Sequence, residues 1–163
     1  MKTVLLAWEL GADRGHVERL GFVSAALRAR GWRIVFVLRD LAAAREFLGQ
    51  DTSPCFQAPI WTRPLPRSQW AFGIAGYADM LAVQGFAEPG CLAAVLAGWD
   101  GILDAVRPAI VVADGAPTAC LAAAGAVPCV LIGDGFALPP AHMPAFPPLR
   151  PELPPVVAEA RLL

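Results

Sequence analysis

Between Lys2 and Asp40 the chain changes hydrophobic rhythm twice. Thr3 to Trp8 is a continuous apolar run too short for a buried helix, and Arg33 to Leu38 is a second run rich in Val, Ile and Phe. Both read as parallel strands covered on both faces. Between them Val17, Leu20, Val23 and Leu27 recur at helical spacing. Arg28 and Arg30 fall in the last turn, where cations suit the helix dipole, and Gly31 follows as a stop, so the pattern predicts a helix over roughly His16 to Arg30. Strand, loop, helix and strand in this order make a ligand-binding βαβ unit. Gly11 and Gly15 bracket its loop, which must leave the sheet tightly and still let a phosphate, carboxylate or sugar hydroxyl approach the amides at the helix start.

The alternation continues with a short helix over Leu41 to Leu48 and a weak third strand over Cys55 to Ala58. Pro54, Pro59, Pro64 and Pro66 then predict a long exposed loop over Ile60 to Phe72. Tyr77 to Gln84 and Pro89 to Val106 look helical, the latter with Glu88 and Pro89 at its start and Pro108 just past its end. Ala109 to Ala113 is a fourth strand with Asp114 at its carboxyl end, Pro117 to Ala124 a small-residue helix, and Pro128 to Ile132 a fifth strand ending in Gly133, Asp134 and Gly135. Leu138 to Pro155 is proline-dense and reads as an extended linker or flap. The expected architecture is a Rossmann-like three-layer α/β/α domain over residues 1–138. Its sheet is mainly parallel, with about five to seven strands in the order 3-2-1-4-5. Residues 139–155 follow as the linker, and 156–163 as the start of a helix.

A chain of 163 residues with 56% apolar content can bury a full core. Its net charge of -1 offers no electrostatic footing for nucleic acid. The mean hydropathy of +0.53 is high, but buried parallel strands and alanine explain much of it and leave room for an apolar partner surface or a peripheral membrane contact. The most membrane-like window, Ala109 to Gly133, is broken by Asp114, Pro117 and Pro128 and reads as strand, helix, strand. No signal peptide is evident, since only six residues separate Lys2 from Glu9, and a cytoplasmic location is the default expectation. Cys55, Cys91, Cys120 and Cys129 show no metal-ligand spacing and read as buried free thiols.

Ligands of open α/β sheets bind beyond the carboxyl ends of the strands, and His16 and Asp114 both fall on that edge in the expected strand order. A histidine oriented by a carboxylate is held in one tautomer and stabilised when it takes a proton, which suits a general base. Each residue also has a structural reading. His16 would cap its helix or satisfy a buried contact, and Asp114 would cap the helix that follows it. Asp13 and Arg14 read either as a solvated loop pair or as ligand contacts. Trp61, Trp70 and Phe72 would line an acceptor pocket or pack back on the domain, and Gly115, Asp134, Gly135 and Phe136 would be pocket wall or plain turn. His142 reads as exposed, without a partner.

The apolar strand, the GxxxGHV loop, the ALRARGW helix end, the second strand and the later RPAIVVADGAPTACLAAAGAVPCVLIG together resemble the N-terminal half of a GT-B glycosyltransferase of the UDP-glycosyltransferase-like group. The resemblance covers nearly the whole chain. It implies an acceptor-binding domain for a small-molecule or lipid-like hydroxyl compound, with His16 as base and Asp114 orienting it. It implies no resident cofactor, a nucleotide-diphosphate sugar as co-substrate, and a C-terminal donor-binding domain or partner subunit lying outside these residues. The family's Gly-His-x-x-Pro has Arg19 in the proline position. Two other readings stay open. One is a non-catalytic acceptor-binding or scaffold subunit. The other is a nicotinamide-dependent oxidoreductase with Asp40 on the ribose, although Gly11, Asp13 and Gly15 do not form its glycine fingerprint.

Overall fold

The computed structural model describes residues 1–11, 14–62, 76–86 and 88–133. The chain divides into two compact units, one of Met1–Ile60 with Leu96–Gly133 and one of Trp61–Val95 with Asp134–Leu163.

The first unit is built on five parallel strands in the order β3-β2-β1-β4-β5. They are β1 (Thr3–Trp8), β2 (Arg33–Leu38), β3 (Cys55–Gln57), β4 (Ile110–Asp114) and β5 (Cys129–Ile132). β1 pairs with β2 from Thr3↔Arg33 to Trp8↔Leu38 on one side, and with β4 from Val4↔Ile110 to Ala7↔Ala113 on the other. Every residue of β1 is buried, as are Ile34 to Leu38 of β2, which is why both read as unbroken apolar runs. Val4, Leu6 and Trp8 share one core with Ile34, Phe36, Leu38 and Val112. Val17 and Leu20 of helix α1 (Gly15–Arg28) and Ala44 of α2 (Leu41–Leu48) close that core. The alternate residues Leu5, Ala7, Val35, Val37, Val111 and Ala113 are buried as well. Burying each large side chain contributes about 1.5–3 kcal/mol before entropy is set against it.

α1 starts one residue before the predicted His16 and stops at Arg28. Beyond it, Arg30 and Gly31 donate to Leu27 and Arg28 in a tighter turn that closes at Gly31, with φ +78°. α2 has the predicted bounds and is capped by Asp40, whose carboxylate accepts from the amides of Ala42 and Ala43. That capping role gives Asp40 a structural task of its own. The window Ala109 to Gly133 folds as β4, helix α5 (Pro117–Ala123) and β5, as its breakers predict. No described helix is long and apolar enough to cross a membrane. The cysteines form no disulfide, but Cys55 is exposed and the other three are partly exposed, so the buried-thiol expectation is corrected. Cys55 lies on edge strand β3, exposed along its length, and Cys129 opens the other edge, β5.

The second unit contains α3 (Tyr77–Leu81), which runs on into a wide π-helical turn over Ala82–Phe86. Gly85 there takes φ +96°, ending the helical pattern expected over Tyr77 to Gln84. α4 (Pro89–Val106) begins in this unit, ends in the first, and keeps its predicted bounds.

Candidate functional site

β1 is flanked by β2 and β4, so the chain departs to one side and returns to the other, and a crevice opens at the carboxyl ends of β1 and β4. The two exits are stitched together there. The amides of Glu9 and Leu10 both donate to the Gly115 carbonyl, at 3.3 and 2.8 Å, and the Trp8 indole donates to the Leu10 carbonyl at 2.7 Å. The second residue of α1, His16, lies over this stitch. Its ring stacks on Trp8 at 5.7 Å between centroids and 20° between planes. Its Nδ1 is 2.9 Å from Oδ1 of Asp114, the last residue of β4.

Two glycines make the seat possible. A Cβ on Gly11, at φ +87°, would stand 2.7 Å from His16 Nε2, and one on Gly115, at φ +58°, would stand 3.2 Å from both His16 Cε1 and the Leu10 carbonyl. The close approach expected at Gly11 is therefore made by the imidazole itself. Gly15 opens α1 as its first residue, one before His16.

Asp114 is 2% exposed at its side chain. Besides His16 it accepts two hydrogen bonds from one guanidinium nitrogen of Arg19, at 2.9 Å to Oδ1 and 2.7 Å to Oδ2. Burial makes a carboxylate expensive unless it is paired and hydrogen-bonded, and here both oxygens are engaged. With a carboxylate facing Nδ1, the tautomer of a neutral ring that suits this contact is the one with the proton on Nδ1 and the lone pair on Nε2. The His16 side chain is 21% exposed, so part of it meets solvent.

The capping alternatives do not hold, whereas the reading of His16 as satisfying a buried contact stands, since it bonds the buried Asp114. His16 makes no capping bond at the start of α1, and α5 is preceded by Ala116, also without a capping side chain. The group that satisfies α5 is Glu9. This residue is 1% exposed and accepts from the amides of Ala119 at 2.6 Å and Thr118 at 3.2 Å. Burial disfavours its charged form more than these bonds favour it, so its pKa rises from 4.5 to about 7.

Arg14 lies 3.7 Å from the Glu46 carboxylate and 5.3 Å from the centre of the Phe47 ring, both on α2, with its side chain 65% exposed. Trp61 belongs to the second unit, where it packs against Gly85. Asp13, Trp70, Phe72, Asp134, Gly135 and Phe136 lie outside the described residues. Two polar residues of the crevice escaped the sequence reading. Arg19 was legible in principle, since it stands three positions after His16 and shares its helix face. Glu9 carried no such signal.

No family model matches the chain, and no curated protein matches it. Among solved structures, a protein described as a UDP-N-acetylglucosamine 2-epimerase from Listeria monocytogenes superposes with a TM-score of 0.55 at 14% identity, over 83% of this chain and 32% of that one. A ugt transferase from Siraitia grosvenorii, solved in complex with UDP, superposes with a TM-score of 0.51 at 17% identity, over 82% of this chain and 28% of that one. The fold is that of a GT-B half. At these identities the likeness speaks for the fold alone, and the chain spans about a third or less of either structure. Within a GT-B half, the crevice described above lies at the sheet's switch point, where open α/β folds place their ligands.

Proposed function

We propose that this GT-B half is the acceptor-binding part of an inverting glycosyltransferase that uses a nucleotide-diphosphate sugar. The observation that carries the reading is the 2.9 Å contact from His16 Nδ1 to Asp114, which would leave Nε2, next to Gly11, to act as the base on a partly exposed ring. In the proposed reaction an acceptor hydroxyl gives its proton to Nε2 as its oxygen attacks the anomeric carbon, and the nucleotide diphosphate leaves from the opposite face. Asp114 holds the tautomer and offsets the charge that develops on the ring. The donor would be bound mainly by a second half, covalent or separate. UDP in the Siraitia structure makes uridine diphosphate sugars the first donors to try.

A second reading, a non-catalytic acceptor-binding subunit, is favoured by Arg19, because a guanidinium on the same carboxylate weakens Asp114 as partner to a protonated ring. Turnover in the protein carrying both halves separates the two. Loss of a general base should lower kcat by about 10²–10⁴ in His16→Ala with little change in KM for the donor. Unchanged turnover would remove His16 from the chemistry. An epimerised nucleotide sugar formed without acceptor would replace transfer by the reaction named for the Listeria protein. The isolated chain should show no sustained donor hydrolysis.

A further inference from the structure

The geometry points to a dithiol at Cys120 and Cys129 that closes reversibly to a disulfide by exchange with a low-molecular-weight disulfide, tying α5 to β5. Cys120 is the fourth residue of α5 and Cys129 the first of β5. α5 follows β4 directly, and β5 lies beside β4 with Cys129 opposite Val111, so the chain turns back on itself between the two cysteines. That turn is fixed by the amides of Ala126 and Val127, which both donate to the Ala123 carbonyl. The result is a pair of sulfur atoms 3.6 Å apart, at van der Waals contact, in side chains that are both partly exposed. A disulfide needs them at about 2.05 Å, a closure of the order of side-chain rotation. Cys55, bonded to the Ser53 carbonyl on the far edge of the sheet, and Cys91, in the second unit, serve as internal controls.

The two thiols are not equivalent. Contact with the Cys120 thiol pulls the Cys129 thiol down from its ordinary value, while the same contact, burial and the nearby Glu9 carboxylate push Cys120 up. On that direction Cys129 is the thiol expected to attack first. It bonds to one sulfur of R–S–S–R and releases the first RS⁻. Cys120 then gives up its proton, attacks the Cys129 sulfur and releases the second. Protein dithiol and R–S–S–R become protein disulfide and two R–SH, with two electrons passing to the small disulfide. The bridge would lie two residues past Thr118, which holds Glu9, and four before Gly133, where a Cβ would stand 3.3 Å from Asp114 Oδ1.

The test is equilibration of the chain with reduced and oxidised glutathione, followed by acid quenching, alkylation and mass spectrometry. Cleavage before aspartate releases Asp114–Gly133, which carries both thiols and neither Cys55 nor Cys91. The expected result is that segment lighter by two hydrogens and unalkylated, and a lasting glutathione adduct on Cys129 in Cys120→Ser. The folded chain should favour the bridge at least about tenfold over the urea-unfolded chain, because folding holds the sulfurs together. Equal constants in the two states, or Cys55 and Cys91 oxidising while this segment stays fully alkylated, would overturn the assignment. An adduct on Cys120 in Cys129→Ser, with none in Cys120→Ser, would overturn the order of attack.

Discussion

Glu9 should make the fold less stable as pH rises, against the habit of most carboxylates. Its pKa is raised from 4.5 to about 7 because burial outweighs the hydrogen bonds with the Thr118 side chain and the two α5 amides. Below pH 4.5 the group is protonated in both folded and unfolded chains and contributes no slope. Between 4.5 and about 7 the unfolded chain has released the proton and the folded chain keeps it, so the unfolded state binds fewer protons and stability falls with pH. Above about 7 both are ionised and the loss is complete. At about 1.36 kcal/mol per pH unit the interval amounts to roughly 3 kcal/mol, undiscounted for solvent because the side chain is buried. Urea unfolding of the chain and of Glu9→Gln, each followed from pH 4 to 8, isolates this slope, since the other titrating groups cancel in the difference. The Gln variant should gain roughly 3 kcal/mol on the parent over that range, whichever is the more stable at pH 4. A flat difference would refute the reasoning, because it would mean that the α5 amides repay the whole desolvation of the carboxylate.

Three further perturbations probe the crevice. Gly11→Ala combines φ +87° with a Cβ placed 2.7 Å from His16 Nε2; it should cost about 1–2 kcal/mol in urea unfolding and displace the His16 ring signals in NMR, and unchanged spectra would mean that the ring does not rest on Gly11. Arg19→Gln leaves the buried Asp114 with His16 as its remaining described partner; because the Arg19 side chain is 39% exposed, the loss should be about 1–2 kcal/mol rather than that of a fully buried pair, with partial recovery in Arg19→Lys. Neutral His16 should be the Nδ1–H tautomer, which long-range proton–nitrogen spectra resolve in a chain with only two histidines, and a dominant Nε2–H form would break the orientation by Asp114.

The strands and their order were legible because β1 and β2 are buried on both faces and therefore unbroken in hydrophobicity. The order places Asp114 beside His16, although every residue that decides the contact is local to its own strand or helix. Helix ends were less legible. The expected end at Arg30 rests on its cations and on Gly31 as a stop, but those signals span the tighter closing turn as well as the last helical one. Glu9 was hidden for a different reason. A carboxylate directly after an apolar strand looks like the start of a solvated loop, and only the return of α5 onto that spot turns it into a buried cap. Cys120 and Cys129 looked unrelated, since no short spacing joins them and their contact depends on the turn after α5.

Arg19 changes the charge balance of the proposed site. With neutral His16, the Arg19 guanidinium and the Asp114 carboxylate cancel. A proton arriving on Nε2 would leave two cations sharing one carboxylate, in a setting where Asp114 is 2% exposed and weakly screened. Like charges beside a buried carboxylate are weakly screened, so a surplus cation there would be energetically relevant. A His–Asp pair alone would take the proton without that surplus. In the proposed transfer the missing negative charge has a natural source, because the leaving nucleotide diphosphate becomes more anionic as the acceptor proton reaches His16. Arg19 would therefore belong to the charge balance of the proposed transfer, its guanidinium already engaging the carboxylate that orients the base.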